Sequence, residues 1–103
     1  MTTKQEVMNK LKEVMDPELG VNIVDLGFIY KIESKGMKDG KEQFYIEMSF
    51  TTPACPLMNV MMTEVQKKLE EFDDSDFEIK IVFEPKWTAE RMSPEAKEKL
   101  GIK

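Results

Sequence analysis

The chain has 103 residues, 41% hydrophobic and 34% charged, with a formal net charge of −5; this suits one compact domain over 1–103 and gives no broad attraction to nucleic acid or anionic lipid, so neither is an expected partner. It holds no histidine and one cysteine, which excludes Cys-His catalysis, a His-ligated zinc site, a serine triad with a His base and an internal disulfide. The first residues lack an apolar stretch of signal-peptide length and no segment approaches the roughly 18 apolar residues of a membrane span, so a reducing, cytoplasmic setting is the expectation.

Thr3-Lys4-Gln5-Glu6 has the form of a capping box, and Val7, Met8, Leu11, Val14 and Met15 follow at helical spacing, which predicts a first helix to about Met15. Pro17 stops it, because a residue before proline is steered away from helical angles, and Asp16-Pro17-Glu18-Leu19-Gly20 reads as the closing turn. Val21 to Gly27 is a connector without a clear pattern. Phe28 to Ser34 predicts a strand, and the polar run Lys35 to Lys41, with Gly36 and Asp39-Gly40, predicts the turn of a hairpin. In the second strand, Phe44 to Phe50, the residues Phe44, Ile46, Met48 and Phe50 share one face while Tyr45, Glu47 and Ser49 share the other, so one face is covered and one partly solvated.

Leu57 to Phe72 predicts an amphipathic helix whose core stripe is Met58, Met61, Met62, Val65, Leu69 and Phe72. Asp73-Asp74-Ser75-Asp76 ends it, and Phe77 to Phe83 alternates as a third strand, so strand, helix and strand form a βαβ crossover. After Pro85 comes an irregular segment with the sole tryptophan, Trp87; Ser93-Pro94-Glu95 then starts a short helix ending at Gly101. The predicted fold is α/β of the α+β type, in the order α-β-β-α-β, with a small three-stranded mixed sheet, helices mainly on one face and a short C-terminal helix.

The lone thiol is the best lead to function. Cys55 sits in Thr51-Thr52-Pro53-Ala54-Cys55-Pro56-Leu57, where a strand gives way to a helix. The free N–H groups and positive dipole end of a helix start favour thiolate over thiol, which makes the sulphur more nucleophilic and a better metal ligand.

Four segments together are fairly specific: Asp16-Pro17-Glu18, Val24-Asp25-Leu26-Gly27, Thr51 to Leu57, and the tail Trp87-Thr88-Ala89-Glu90-Arg91-Met92-Ser93. In this order they resemble the SufT/PaaD-like family, also catalogued as domain of unknown function fifty-nine, over almost the whole chain. The resemblance implies a small α/β domain of the iron–sulphur cluster assembly domain-like fold, acting in maturation of iron–sulphur proteins. It also implies that the cysteine of the T-x-x-x-C-P-like segment, Cys55 here, is the functional residue, and it carries the acidic turn over to Asp16 and Glu18.

Each lead also has a plain structural account. Cys55 could be a buried, inert small residue, as free cysteines often are. Asp16 and Glu18 could assist the thiol or supply oxygen ligands, or could be solvated turn carboxylates. A carboxylate beside Cys55 would raise the thiol pKa against the helix dipole, so those two ideas compete. Thr51 and Thr52 could donate to a thiolate or simply end a strand. Met58, Met61 and Met62 fit core filling better than a soft-metal site, and Asp73, Asp74 and Asp76 lack calcium-loop spacing. Trp87, Arg91 and Met92 could form a partner-docking surface, or the indole could pin the C-terminal segment to the sheet.

The leading expectation is a non-enzymatic, cytoplasmic iron–sulphur assembly factor in which Cys55 contacts iron, a cluster or a client's cysteine. Clusters normally take four protein ligands and one chain offers one thiolate, so no cluster is expected to be bound stably; contact would be transient and completed by a second copy in a homodimer, a client apoprotein or a small thiol. The rival is a non-catalytic adaptor to the assembly machinery with a structural Cys55. A one-cysteine redox enzyme ranks lower, because no resolving cysteine is present.

Overall fold

The computed structural model describes residues 2–17, 19–50 and 58–101. Helix α1, Lys4–Leu11, starts on the expected capping box: the Thr3 hydroxyl accepts the Glu6 N–H, and the Glu6 carboxylate accepts the Thr3 N–H, both at 3.1 Å. It ends four residues before the expected Met15. The Glu13 and Val14 N–H groups bond to Lys10 and Leu11, which tightens the last turn, and the Val14 carbonyl then accepts the Ile23 N–H at 3.0 Å. Val14 thus reaches the core from a turn, while Met15 is 48% exposed. Met15–Asp16 (β1) instead pairs antiparallel with Val21–Asn22 (β2), so the acidic turn closes a small hairpin and not a helix.

Strands β3, Ile29–Lys38, and β4, Lys41–Met48, form the larger hairpin. Its turn is only Asp39-Gly40, at φ 53° and 80°, the two left-handed positions that a tight hairpin requires and that Asp-Gly supplies. The polar run Lys35 to Lys38 is therefore exposed strand, reached across a register shift between Ser34 and Gly36. Polarity alone does not separate an exposed ribbon from a loop.

On β4 the covered face is as expected: Phe44, Ile46 and Met48 are buried, as is Phe50 just beyond. Ser49 departs from the alternation and is fully buried, because its N–H is drawn to the Phe28 carbonyl at 2.8 Å. Helix α2, Met58–Leu69, then leads to β5, Ser75–Ile81, which runs parallel to β4 in unbroken register from Glu42↔Ser75 to Met48↔Ile81. Ser75 and Asp76, expected in the preceding turn, are strand residues. The order β3-β4-β5 makes the predicted three-stranded mixed sheet; the two-stranded β1-β2 sheet stands beside it.

Val7 and Leu11 of α1 and Met61, Val65 and Leu69 of α2 join Ile32, Phe44, Ile46 and Met48 in one core, with Met58, Met62 and Phe72 packed against it. The methionines thus fill space, as their spacing indicated. Beyond β5, Ala89–Arg91 form an unanticipated 3-10 turn, and α3, Pro94–Leu100, has the expected ends: Ser93 Oγ accepts the Ala96 N–H at 3.2 Å, and Gly101 caps the helix at φ 74°. Lys99 Nζ donates to the Gly20 carbonyl at 2.7 Å, tying α3 to the β1–β2 turn. No helix among the described residues is long and apolar enough to cross a membrane.

Candidate functional site

Thr51, Thr52 and Cys55 lie outside the described residues, as does Glu18. The two ends of the Cys55 segment are defined: Phe50, 1% exposed, and Met58, the first residue of α2. Since β4 and β5 are parallel, the chain enters this segment from the carboxyl ends of parallel strands and leaves it into a helix. Ligands of open α/β sheets gather at that kind of edge.

Around Phe28 and Phe50 the structure brings together two of the four segments singled out in the sequence, Val24 to Gly27 and Trp87 to Ser93. The Phe50 ring lies 5.9 Å from Phe28, and the Phe28 ring meets the edge of Trp87 at 5.6 Å and 74°. Trp87 Nε1 donates to the Leu26 carbonyl at 2.8 Å, and the Ser93 N–H donates to the Asp25 carbonyl at 2.7 Å. Gly27, at φ 79°, faces Arg91 so closely that a Cβ there would stand 2.3 Å from the Arg91 carbonyl oxygen. Val24 to Gly27, the Trp87 to Ser93 tail and the strand end leading into Thr51 are therefore one packed unit.

The tail residues are engaged within the fold to different degrees. Trp87 is half-buried and hydrogen-bonded, Met92 is 6% exposed within the core, and Arg91 is exposed. The Arg91 guanidinium sits 3.9 Å above the Tyr30 ring, whose hydroxyl donates to the Pro85 carbonyl at 2.9 Å. The indole is thus held to Leu26 and Phe28, just before β3, and the Met92 side chain is buried.

Asp16 belongs to the small hairpin. The residue is 6% exposed; its carboxylate accepts the Leu19 N–H at 3.2 Å, while its carbonyl accepts the Gly20 N–H at 2.8 Å. It closes its own turn, a role common to Asp at this position. Asn22 bridges the hairpin to the tail-bearing unit, donating to Asp25 Oδ2 at 2.8 Å and accepting the Asp25 N–H at 2.9 Å.

Among the described residues no group of three or more Cys, Asp or Glu side chains could hold a metal ion. Sequence reasoning missed the Phe28 and Tyr30 contacts with Trp87 and Arg91, which join residues about sixty positions apart and leave no local signal. Asp25-Leu26-Gly27 carried a hint, because a glycine ending such a segment often marks a close backbone approach.

The chain matches the model of a family described as iron–sulphur cluster assembly protein over residues 4–81. It is 41% identical over 100 residues to the Fe-S protein maturation auxiliary factor YitW of Bacillus subtilis, covering 96% of this chain and 94% of that one. With the Fe-S protein maturation auxiliary factor SufT of Staphylococcus aureus it shares 37% identity, over 86% of this chain and 98% of that protein. The crystal structure of a domain of unknown function, DUF59, from Bacillus anthracis superimposes with a TM-score of 0.82 at 33% identity, over 97% of this chain and 92% of that chain.

Proposed function

Because the chain belongs to the iron–sulphur cluster assembly protein family, we propose that it is a cytoplasmic, non-catalytic accessory factor in iron–sulphur protein maturation that works through the thiolate of Cys55. The names of its relatives support the role in maturation. The observation that carries the finer reading is the position of the one cysteine in the sequence, between the buried Phe50 and helix α2.

The cluster is cargo in this reading. One thiolate is a quarter of the usual ligand set, so Cys55 holds iron, a cluster or a client cysteine only while a client apoprotein, an assembly protein or a small thiol supplies the rest. Incomplete ligation favours passing the cargo on over storing it. The chain departs into this segment from the packed unit of Phe28, Phe50 and Trp87.

Anaerobic reconstitution of the wild type and of Cys55→Ser, read by absorption and iron-to-protein ratio with a client apoprotein present, tests the proposal. Client-dependent iron uptake that disappears in Cys55→Ser is the expected result. A full cluster held stably by the isolated monomer, or client maturation unaffected by Cys55→Ser, overturns it.

A further inference from the structure

The two edges of the three-stranded sheet are built differently. β3, at one edge, carries two register shifts, Gly36 and the exposed Lys31, Lys35 and Lys38, the devices by which natural edge strands avoid pairing with other chains. β5, at the other, runs seven residues without glycine, proline or bulge.

Its backbone polarity follows from two bonds. The Glu42 N–H donates to the Asp74 carbonyl, and the Val82 N–H donates to Met48, so the even-numbered residues of β5 point their N–H and C=O groups at β4. Those of Phe77, Ile79 and Ile81 point out from the sheet. Beside this edge lies a groove of about 310 Å³ whose lining is mixed, Met62, Leu69, Phe77 and Ile79 with the acidic Glu70 and Asp76, and the Phe77, Ile79 and Ile81 side chains are only half-buried.

We propose that two copies of this chain pair antiparallel along β5, about a two-fold axis at Ile79, joining the two sheets into one. A symmetric pairing centred there sets Ile79 against Ile79 and Phe77 against the partner's Ile81, all residues whose backbone groups face outward, so the ladder is satisfied from both sides. It also sets Glu78 against the partner's Lys80, and Lys80 against the partner's Glu78. These are non-hydrogen-bonded pairs, in which facing side chains approach most closely. Glu78 and Lys80 are exposed in the single chain; an axis at Glu78 would also give two opposite-charge pairs, Asp76 with Lys80, but would set Glu78 against its own copy, whereas the axis at Ile79 opposes no like charges within β5. Pairing lays the partner's Ile81 across the half-buried Phe77 and extends the apolar face over the groove.

The axis directs the carboxyl ends of the two β4 strands, which lead to Cys55, in opposite directions. This dimer therefore does not supply a second thiolate to one cluster, and its failure would leave the Cys55 reading standing.

Sedimentation equilibrium on the wild type, Glu78→Lys, Lys80→Glu and the doubly swapped chain tests the pairing, with far-UV circular dichroism to check the fold. Each single substitution creates two like-charge pairs and is expected to raise the dimer dissociation constant about tenfold or more, with the double swap restoring it. The amides of Phe77, Ile79 and Ile81 should gain protection from hydrogen exchange as concentration rises. A wild type that stays monomeric to about 1 mM, a dimer indifferent to both single substitutions, or β5 amides protected only on adding a client polypeptide overturns the proposal.

Discussion

Gly27 and Arg91 meet backbone to backbone: a Cβ on Gly27 would stand 2.3 Å from the Arg91 carbonyl oxygen and 2.7 Å from its carbonyl carbon, and Gly27 itself sits at φ 79°. Both the left-handed backbone and the missing side chain are needed. Gly27→Ala must therefore strain its own backbone and push the tail away, and neither obstacle is the soft end of a side chain. A loss of roughly 2–4 kcal/mol in unfolding free energy is expected. Denaturant titration measures it, and a change under about 0.5 kcal/mol would mean that the tail yields freely.

Trp87 separates the contribution of a hydrogen bond from that of ring packing. Trp87→Phe keeps an aromatic ring for the edge contact with Phe28 but loses the Nε1–H that donates to Leu26 at 2.8 Å. Leaving that carbonyl without its partner should cost about 1–2 kcal/mol, and Trp87→Ala, which also removes the ring, about 3–5 kcal/mol. A Trp87→Phe variant as stable as wild type would show that the bond contributes nothing beyond the packing, and equal losses in the two variants would show that the ring contributes nothing beyond the bond.

What could be read from the sequence divides along the range of the interactions. The Thr3 capping box, the Ser93-Pro94 start of α3, the Met61–Val65–Leu69 stripe and the parallel β4–α2–β5 unit are set by neighbours within one element, and the spacing of residues expresses them. The end of α1 is not legible in this way: Val14 is apolar at helical spacing, yet its carbonyl is claimed by Ile23 in a hairpin too short to leave a pattern. Alternation puts Ser49 on the open face, but it ceases to hold where Phe28 draws the Ser49 backbone inward. For the candidate site, the sequence marked the segments but not that Asp25, Leu26 and Gly27 receive Ser93, Trp87 and Arg91. Contacts across more than sixty positions have no local periodicity to announce them.

Tyr45 gives a prediction in alkaline solution. Its hydroxyl donates to Glu47 Oε2 at 2.7 Å, and that bond, helped by partial burial and by the negative charges of Glu47, Glu78 and Glu33, pushes its pKa from 10.0 up to about 12. A folded-state pKa above the unfolded one means that the stabilisation is complete below the unfolded value and is lost as pH rises through the folded one. Stability should therefore decline between pH 10 and about 12 as Tyr45 ionises. Ultraviolet titration of phenolate formation should place one tyrosine near the top of that window, and Glu47→Gln should move it back towards 10.0. A titration unchanged by Glu47→Gln would dismiss the carboxylate as the cause.

Cys55 and Phe28 should separate function from fold. Phe28 is 1% exposed between Phe50 and Trp87, so Phe28→Ala opens a cavity at the centre of the packed unit and should cost about 3–5 kcal/mol. Cys55→Ser exchanges one sulphur for oxygen. If the thiol works on cargo, its removal should leave the denaturation midpoint of the isolated protein within about 0.5 kcal/mol of wild type, while maturation of client proteins is lost. If Cys55 were instead a buried packing residue, the serine hydroxyl would enter an apolar site and cost about 1–3 kcal/mol, with maturation falling only in proportion to folded protein. Thiol labelling supplies the kinetic half of the comparison. A reactive thiolate labels in the native state, much faster than global unfolding and with an apparent pKa below the ordinary 8.5 or so; labelling limited by the unfolding rate would assign Cys55 to the interior and remove the basis of the proposed function.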